Sequence, residues 1–147
     1  MIKFKRDPKE YGTGHPIIGV DSTEFSVGDA VYIDSNGYLA LATTSSKVLG
    51  YCIEDKTTSA TNTTVEKYCP LYVYAEDVEV EIDSDQACTQ TDLGAYADLG
   101  TVTSGGMILN LAAGSTGQFL VIGFDADDTD KVIVVVAEPQ KLAFAQA

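Results

Sequence analysis

The chain has 147 residues, a formal net charge of −13 and a sequence pI near 4.1. That length suits a single domain able to bury roughly 70% of the surface its unfolded chain exposes, so disulfides are not needed for stability. The acidity argues against direct nucleic-acid binding, which requires clustered Lys and Arg. The longest apolar run, Val132–Ala137, is far short of the ~20 residues a membrane helix needs.

Charge is unevenly placed. Lys3, Lys5, Arg6 and Lys9 fall within the first nine positions, opposed only by Asp7, whereas residues 10–147 carry 5 basic and 21 acidic residues, a net of −16. The opening MIKFKRDPKE has no apolar core of the kind a secretory signal carries. Residues 1–18, with Pro8, Gly12, Gly14 and Pro16, read as an extended basic arm outside the core. A single β domain over 19–147 follows. Three cysteines, Cys52, Cys69 and Cys88, are odd in number and contain no CxxC pair, which points to free thiols in a reducing compartment. With His15 the only histidine, a zinc site lacks its ligand set.

Helical periodicity is nearly absent, and period-2 alternation with turn signals predicts an all-β domain, a compact β-barrel or β-sandwich with at most one short helix. Val27-Gly28-Asp29 reads as a turn into a strand over Ala30–Ile33. Asp34-Ser35-Asn36-Gly37 fits a type I turn whose last residue takes a positive φ. The chain returns through Tyr38–Ala42, and Val48–Ile53 is a third strand. Residues 57–64, TTSATNTT, read as an exposed loop or hairpin tip; Asn62-Thr63-Thr64 matches a glycosylation sequon.

Lys67–Asp83 reads as one or two strands, with Pro70 at an edge or strand start. Its alternation is expected to continue beyond Ala75, placing Asp77, Glu79, Glu81 and Asp83 on one face and Val78, Val80 and Ile82 on the other. Ser84–Asp92 is the place for the one short helix, with Ser84 or Asp85 as N-cap and Gly94 as stop. Four further strand candidates follow: Ala95–Leu99, Thr101–Val102 or Met107–Leu111, Gln118–Phe124, and Lys131–Glu138. Glycine pairs and Asp125–Asp130 punctuate them.

Candidate chemistry is sparse. The carboxylates of Asp77, Glu79, Glu81 and Asp83 lie roughly 7 Å apart along a strand, a spacing used in glycoside hydrolysis. A solvated, aggregation-resistant strand face is the simpler account of them. Asp125–Asp130 resembles a calcium loop but departs from the EF-hand pattern at three positions: Thr129, Asp130 and Val136. An Asp-rich hairpin turn is the simpler reading. Thr103–Gly106 and Ala113–Gly117 lack the GK[ST] of a phosphate loop and read as turns. His15 has no partner from which a nucleophile–base pair could be built. These readings point away from enzymatic activity and from any cofactor.

Two motif sets carry a resemblance. The first is Phe25, Gly28-Asp29, Val31, Gly37, Leu39, Ala42-Thr43, Val48-Leu49-Gly50 and Asp55. The second is DLGAYADL, SGGMILNL and STGQFLVIGFDADDTDKVIVVV in the C-terminal part. Together, over roughly residues 20–137, they resemble small head-decoration (capsid cement) proteins of tailed bacteriophages. The resemblance implies a virion structural protein without catalytic residues. It would be made in the host cytoplasm and bind the exterior of an assembled capsid through the major capsid protein, often as a homotrimer at a local three-fold. The basic arm is then the natural docking element, by complementarity to an acidic patch, with Lys3, Phe4, Lys5, Arg6, Lys9, Tyr11 and His15 as interface candidates. The mildly apolar C-terminus, with Leu142 and Phe144, is expected to pack on a partner or on the body. The alternative is a carbohydrate- or receptor-binding β module of a phage fibre or tail, using Tyr72 or Tyr74. A metal-assisted hydrolase on one of the acidic clusters is a third reading.

Overall fold

The computed structural model describes residues 1–67, 70–113 and 117–140. Cys69, Leu142 and Phe144, and most of the 113–117 turn, lie outside them. The described residues form twelve strands in a sandwich-like all-β fold: β1 (Ile2–Phe4), β2 (Glu24–Phe25), β3 (Ala30–Ile33), β4 (Leu39–Leu41), β5 (Gly50–Cys52), β6 (Lys56–Thr57), β7 (Tyr72–Tyr74), β8 (Val80–Asp83), β9 (Tyr96–Thr101), β10 (Ile108–Asn110), β11 (Phe119–Phe124) and β12 (Lys131–Val136). They contain no α-helix. Single 3-10 turns occur at Pro8–Tyr11, Gln90–Asp92 and Leu111–Ala113. The expected helix over 84–92 thus shrinks to its last three residues, where Asp92 accepts the Thr89 N–H at 2.8 Å and closes the turn before a helix can propagate.

A six-stranded sheet runs in the order β1-β8-β12-β11-β9-β10, and a four-stranded sheet in the order β4-β3-β5-β7; β2 and β6 form a short ribbon. All the named pairings are antiparallel. The large sheet curls until β10 meets the chain leaving β8: Ser84 and Leu109 form a parallel bridge, and Asp85 N–H donates to the Leu109 carbonyl at 2.9 Å. Residues Val132, Val134 and Val136 of β12 point into the core with Val80, Ile82, Ala97, Leu99, Phe119 and Val121. There they meet Ala30, Tyr51, Val73 and Ala75 of the small sheet. Each fully buried Val, Ile, Leu or Phe side chain among them contributes about 1.5–3 kcal/mol before entropy is charged against it.

The small sheet is buried on both faces. Its second face holds Val31, Leu39, Leu49, Cys52 and Tyr72, packed in one cluster with Phe25 of β2 and with Ile17 and Val20. This explains why Val48–Ile53 reads as a continuous apolar run and not as an alternation. It also explains Gly50: a Cβ there would sit 2.1 Å from the Val73 carbonyl oxygen, so the strands pack closer than any side chain permits. The Asp34–Gly37 turn forms as its residues suggest. Gly37 N–H donates to the Asp34 carbonyl at 3.0 Å with φ +84°, and the Asp34 carboxylate accepts from Asn36 and Tyr38 N–H.

Two expectations are corrected. The alternation from Ala75 to Asp83 is not one strand. Val78 N–H reaches back to the Ala75 carbonyl at 3.1 Å, Asp77 sits at φ +62°, and the chain turns from the small sheet into the large one. The polar stretch 57–64 is not simply exposed. Thr58 and Asn62 are buried, and the Asn62 amide donates to the Gly19 and Lys67 carbonyls at 2.8 and 3.1 Å. Buried carbonyls need such a donor, so the sequon asparagine is engaged inside the fold.

Candidate functional site

Residues 1–20 form a strap laid across both sheets. β1 pairs with β8 as the edge of the large sheet, with Ile2 opposite Ile82 and Lys3 opposite Glu81. Alternation sends Ile2 into the core at 4% exposure and leaves Lys3 and Lys5 on the outer surface. Phe4 is half-buried and meets Tyr51 edge-to-face at 6.0 Å. The expectation that the first eighteen residues stay outside the core therefore needs amending at Ile2, and at Ile17, which packs on the small sheet.

Beyond β1 the strap turns. The Asp7 carboxylate accepts from Lys9 N–H at 3.0 Å, and Glu10 N–H donates to the Asp7 carbonyl at 3.0 Å. Pro8 opens this 3-10 turn at a position that needs no N–H donor. The Arg6 guanidinium lies 5.5 Å from the Tyr11 ring centre, and its Nε points at the Tyr11 hydroxyl at 3.4 Å. This cation–π arrangement holds the Arg6 charge at the surface.

The strap then seals the small sheet. Gly14 N–H donates to the Tyr72 carbonyl at 2.8 Å on the β7 edge, and His15 N–H to the Tyr74 hydroxyl at 3.3 Å. At the opposite edge, Leu39 N–H donates to the Ile18 carbonyl and Val20 N–H to the Leu39 carbonyl, both at 2.9 Å. Both edges of the small sheet are thereby paired, which removes templates for unwanted strand addition. Of the interface candidates, Lys3, Lys5, Arg6, Lys9 and His15 are exposed, while Phe4 and Tyr11 are half-buried against the core.

The acidic alternation on β8 is the strap's anchor. Asp83 accepts from the Met1 ammonium at 2.9 Å and from Lys131 Nζ at 3.1 Å; Lys5 Nζ lies 3.9 Å from Glu81. The hydrogen bond from the Met1 ammonium holds the Asp83 carboxyl below its usual range; burial opposes it, and Lys131 adds to the lowering. Glu79 and Asp77 remain exposed, and Asp77 lies in the turn, so the four carboxylates do not share one strand face. Sequence reading missed this anchor role. Its signal was present, since Lys3-x-Lys5 and Glu79-x-Glu81-x-Asp83 carry the same period and opposite sign.

The other clusters resolve into structure. Buried Asp29 accepts from Ser26 N–H and the Ser104 hydroxyl with one oxygen and from Gly105 N–H with the other, all at 2.8 Å. It thus ties the turn before β3 to Thr103–Gly106. Asp125–Asp130 closes the β11–β12 hairpin: the Asp125 carbonyl and carboxylate accept from Asp128 and Asp127 N–H at 3.2 and 2.9 Å. Among the described residues no three His, Cys, Asp or Glu side chains gather where they could hold a metal ion. Cys52 and Cys88 are buried free thiols, and burial pushes both thiols up. Tyr72 is 1% exposed, so it offers no stacking platform, and burial raises its hydroxyl above the usual range. No described helix is long and apolar enough to cross a membrane.

No protein-family model matches this chain, and no curated protein sequence matches it.

Proposed function

We propose that this chain is a non-enzymatic virion structural protein that binds the outer surface of an assembled phage capsid and stabilises it. The observation that carries the reading is the strap. Lys3, Lys5, Arg6 and Lys9 are all exposed on a segment fastened to both sheets, while residues 10–147 carry a net charge of −16. A fixed basic strip on an acidic body selects acidic partners and orients the protein on them at little entropic cost. The motif resemblance described above supplies the kind of partner, a major capsid protein, and the homotrimer at a local three-fold. The carbohydrate-binding alternative is weakened by the burial of Tyr72.

Deleting residues 1–18 is a poor test, because it removes an edge strand and a core side chain together. The double substitution Arg6→Glu/Lys9→Glu leaves β1 intact. It should lower co-sedimentation with purified capsids by at least roughly tenfold, about 1.4 kcal/mol, and wild-type binding should weaken with added salt. Unchanged saturation of capsids by the folded variant would overturn the docking model. Mass in solution, with and without capsids, tests the trimer.

A further inference from the structure

We propose that the free edge of β1 is a strand-addition site for an extended segment in which acidic and β-branched apolar residues alternate. Lys5 N–H donates to the Glu79 carbonyl, so residues 3 and 5 spend their backbone groups on β8. In an antiparallel ladder the intervening residue then turns its N–H and C=O the other way. Phe4 therefore directs both groups to the open side of the sheet. β1 is the last strand in the order, and among the described residues no strand lies beyond it.

A shallow groove of about 550 Å3 follows this edge, lined by Met1–Pro8 and Val27. Val27 is 41% exposed and supplies an apolar rim. The Ile2 end is closed: the Cβ that Gly28 lacks would lie 2.2 Å from the Ile2 carbonyl oxygen. Pro8, which has no N–H, marks the other end. Because β1 ends at Phe4 and the chain bends at Lys5 and Arg6, the opening admits about three extended residues, roughly 10 Å.

Charge decides which strand fits. A second copy of β1 would bring Lys3 and Lys5 beside the same two lysines, and like charges across a pair are destabilising. β8 shows the complementary chemistry on the inner side of β1. Its Glu81 stands opposite Lys3 and near Lys5, and its Val80 and Ile82 enter the core. A segment of the same pattern on the outer side would set carboxylates beside Lys3 and Lys5 and apolar side chains beside Phe4 and Val27. Backbone hydrogen bonds would give affinity and the alternating side chains specificity.

The inference shares the basic strap with the capsid reading but not its partner, and its test uses no capsids. The probe is a blocked peptide with the sequence of residues 76–85, EDVEVEIDSD, titrated into isotope-labelled full-length protein. Saturable amide shifts confined to residues 1–8 and 27–28 are expected. Affinity should fall at least roughly tenfold when the peptide's acids become amides, when alternate peptide nitrogens are methylated, or in the protein variant Val27→Glu. Absence of saturable binding up to about 1 mM overturns the proposal. Equal binding of a scrambled or N-methylated peptide overturns it too, because charge alone would then suffice. Peptide binding without capsid binding would sink only the capsid reading; capsid binding without peptide binding would sink only the strand-addition site.

Discussion

Replacing Ile2 with Ala tests whether the strap belongs to the core. Ile2 is 4% exposed and shares the main cluster with Val80 and Ile82. Three carbons are removed, and at about 0.8 kcal/mol per buried methylene the transfer loss is about 2.4 kcal/mol. A cavity would add to this, giving the 2–5 kcal/mol typical of Ile→Ala in cores. β1 is a three-residue edge strand, however, so it can detach once the cost of the cavity exceeds the free energy that docks it. The expected loss is therefore about 2–3 kcal/mol, or roughly 4–12 °C in melting temperature for a chain of this size. Urea unfolding followed by far-UV circular dichroism measures it, with Lys3→Ala as an exposed control expected within about 0.5 kcal/mol. Amide exchange should accelerate at residues 1–5 and hardly change in β11 and β12. A loss below about 0.5 kcal/mol for Ile2→Ala would mean that the first residues are a free arm and that the strap reading fails.

Tyr51→Phe should stabilise the protein by about 1 kcal/mol, because its hydroxyl is buried without a partner among the described residues and its desolvation is uncompensated; a loss of stability in urea unfolding would show that the hydroxyl is satisfied. Asp83 has a depressed carboxyl pKa, so its contribution is present above the unfolded value of about 3.9 and is lost as pH falls through the lower folded value. Amide exchange of β1 should accordingly rise below about pH 4, measured relative to the core strands. Asp83→Asn should show fast exchange at neutral pH with little further acid response; an unchanged acid profile would place the titration elsewhere.

The strand content was legible because turns and alternation are local. Ala30–Ile33, Asp34–Gly37 and the β11–β12 hairpin form where turn residues and period-2 patterns put them. The break between Ala75 and Val80 was not legible, because the alternation continues in phase while the backbone turns at Asp77. Thr58 and Asn62 look like loop residues by composition. Their burial depends on Gly19 and Val20, some forty positions away, whose carbonyls their side chains satisfy.

By itself the sequence determined an all-β chain, an acidic body and a basic N-terminal segment, since these depend on composition and on spacing between near neighbours. Only the tertiary structure decided what that segment does within the molecule. Its lysines alternate in the same period as the carboxylates of β8, so pairing places opposite charges together and turns Ile2 inward. Which of the available acidic faces β1 would meet depends on the sheet order, and sheet order is set by long-range packing that no local pattern encodes.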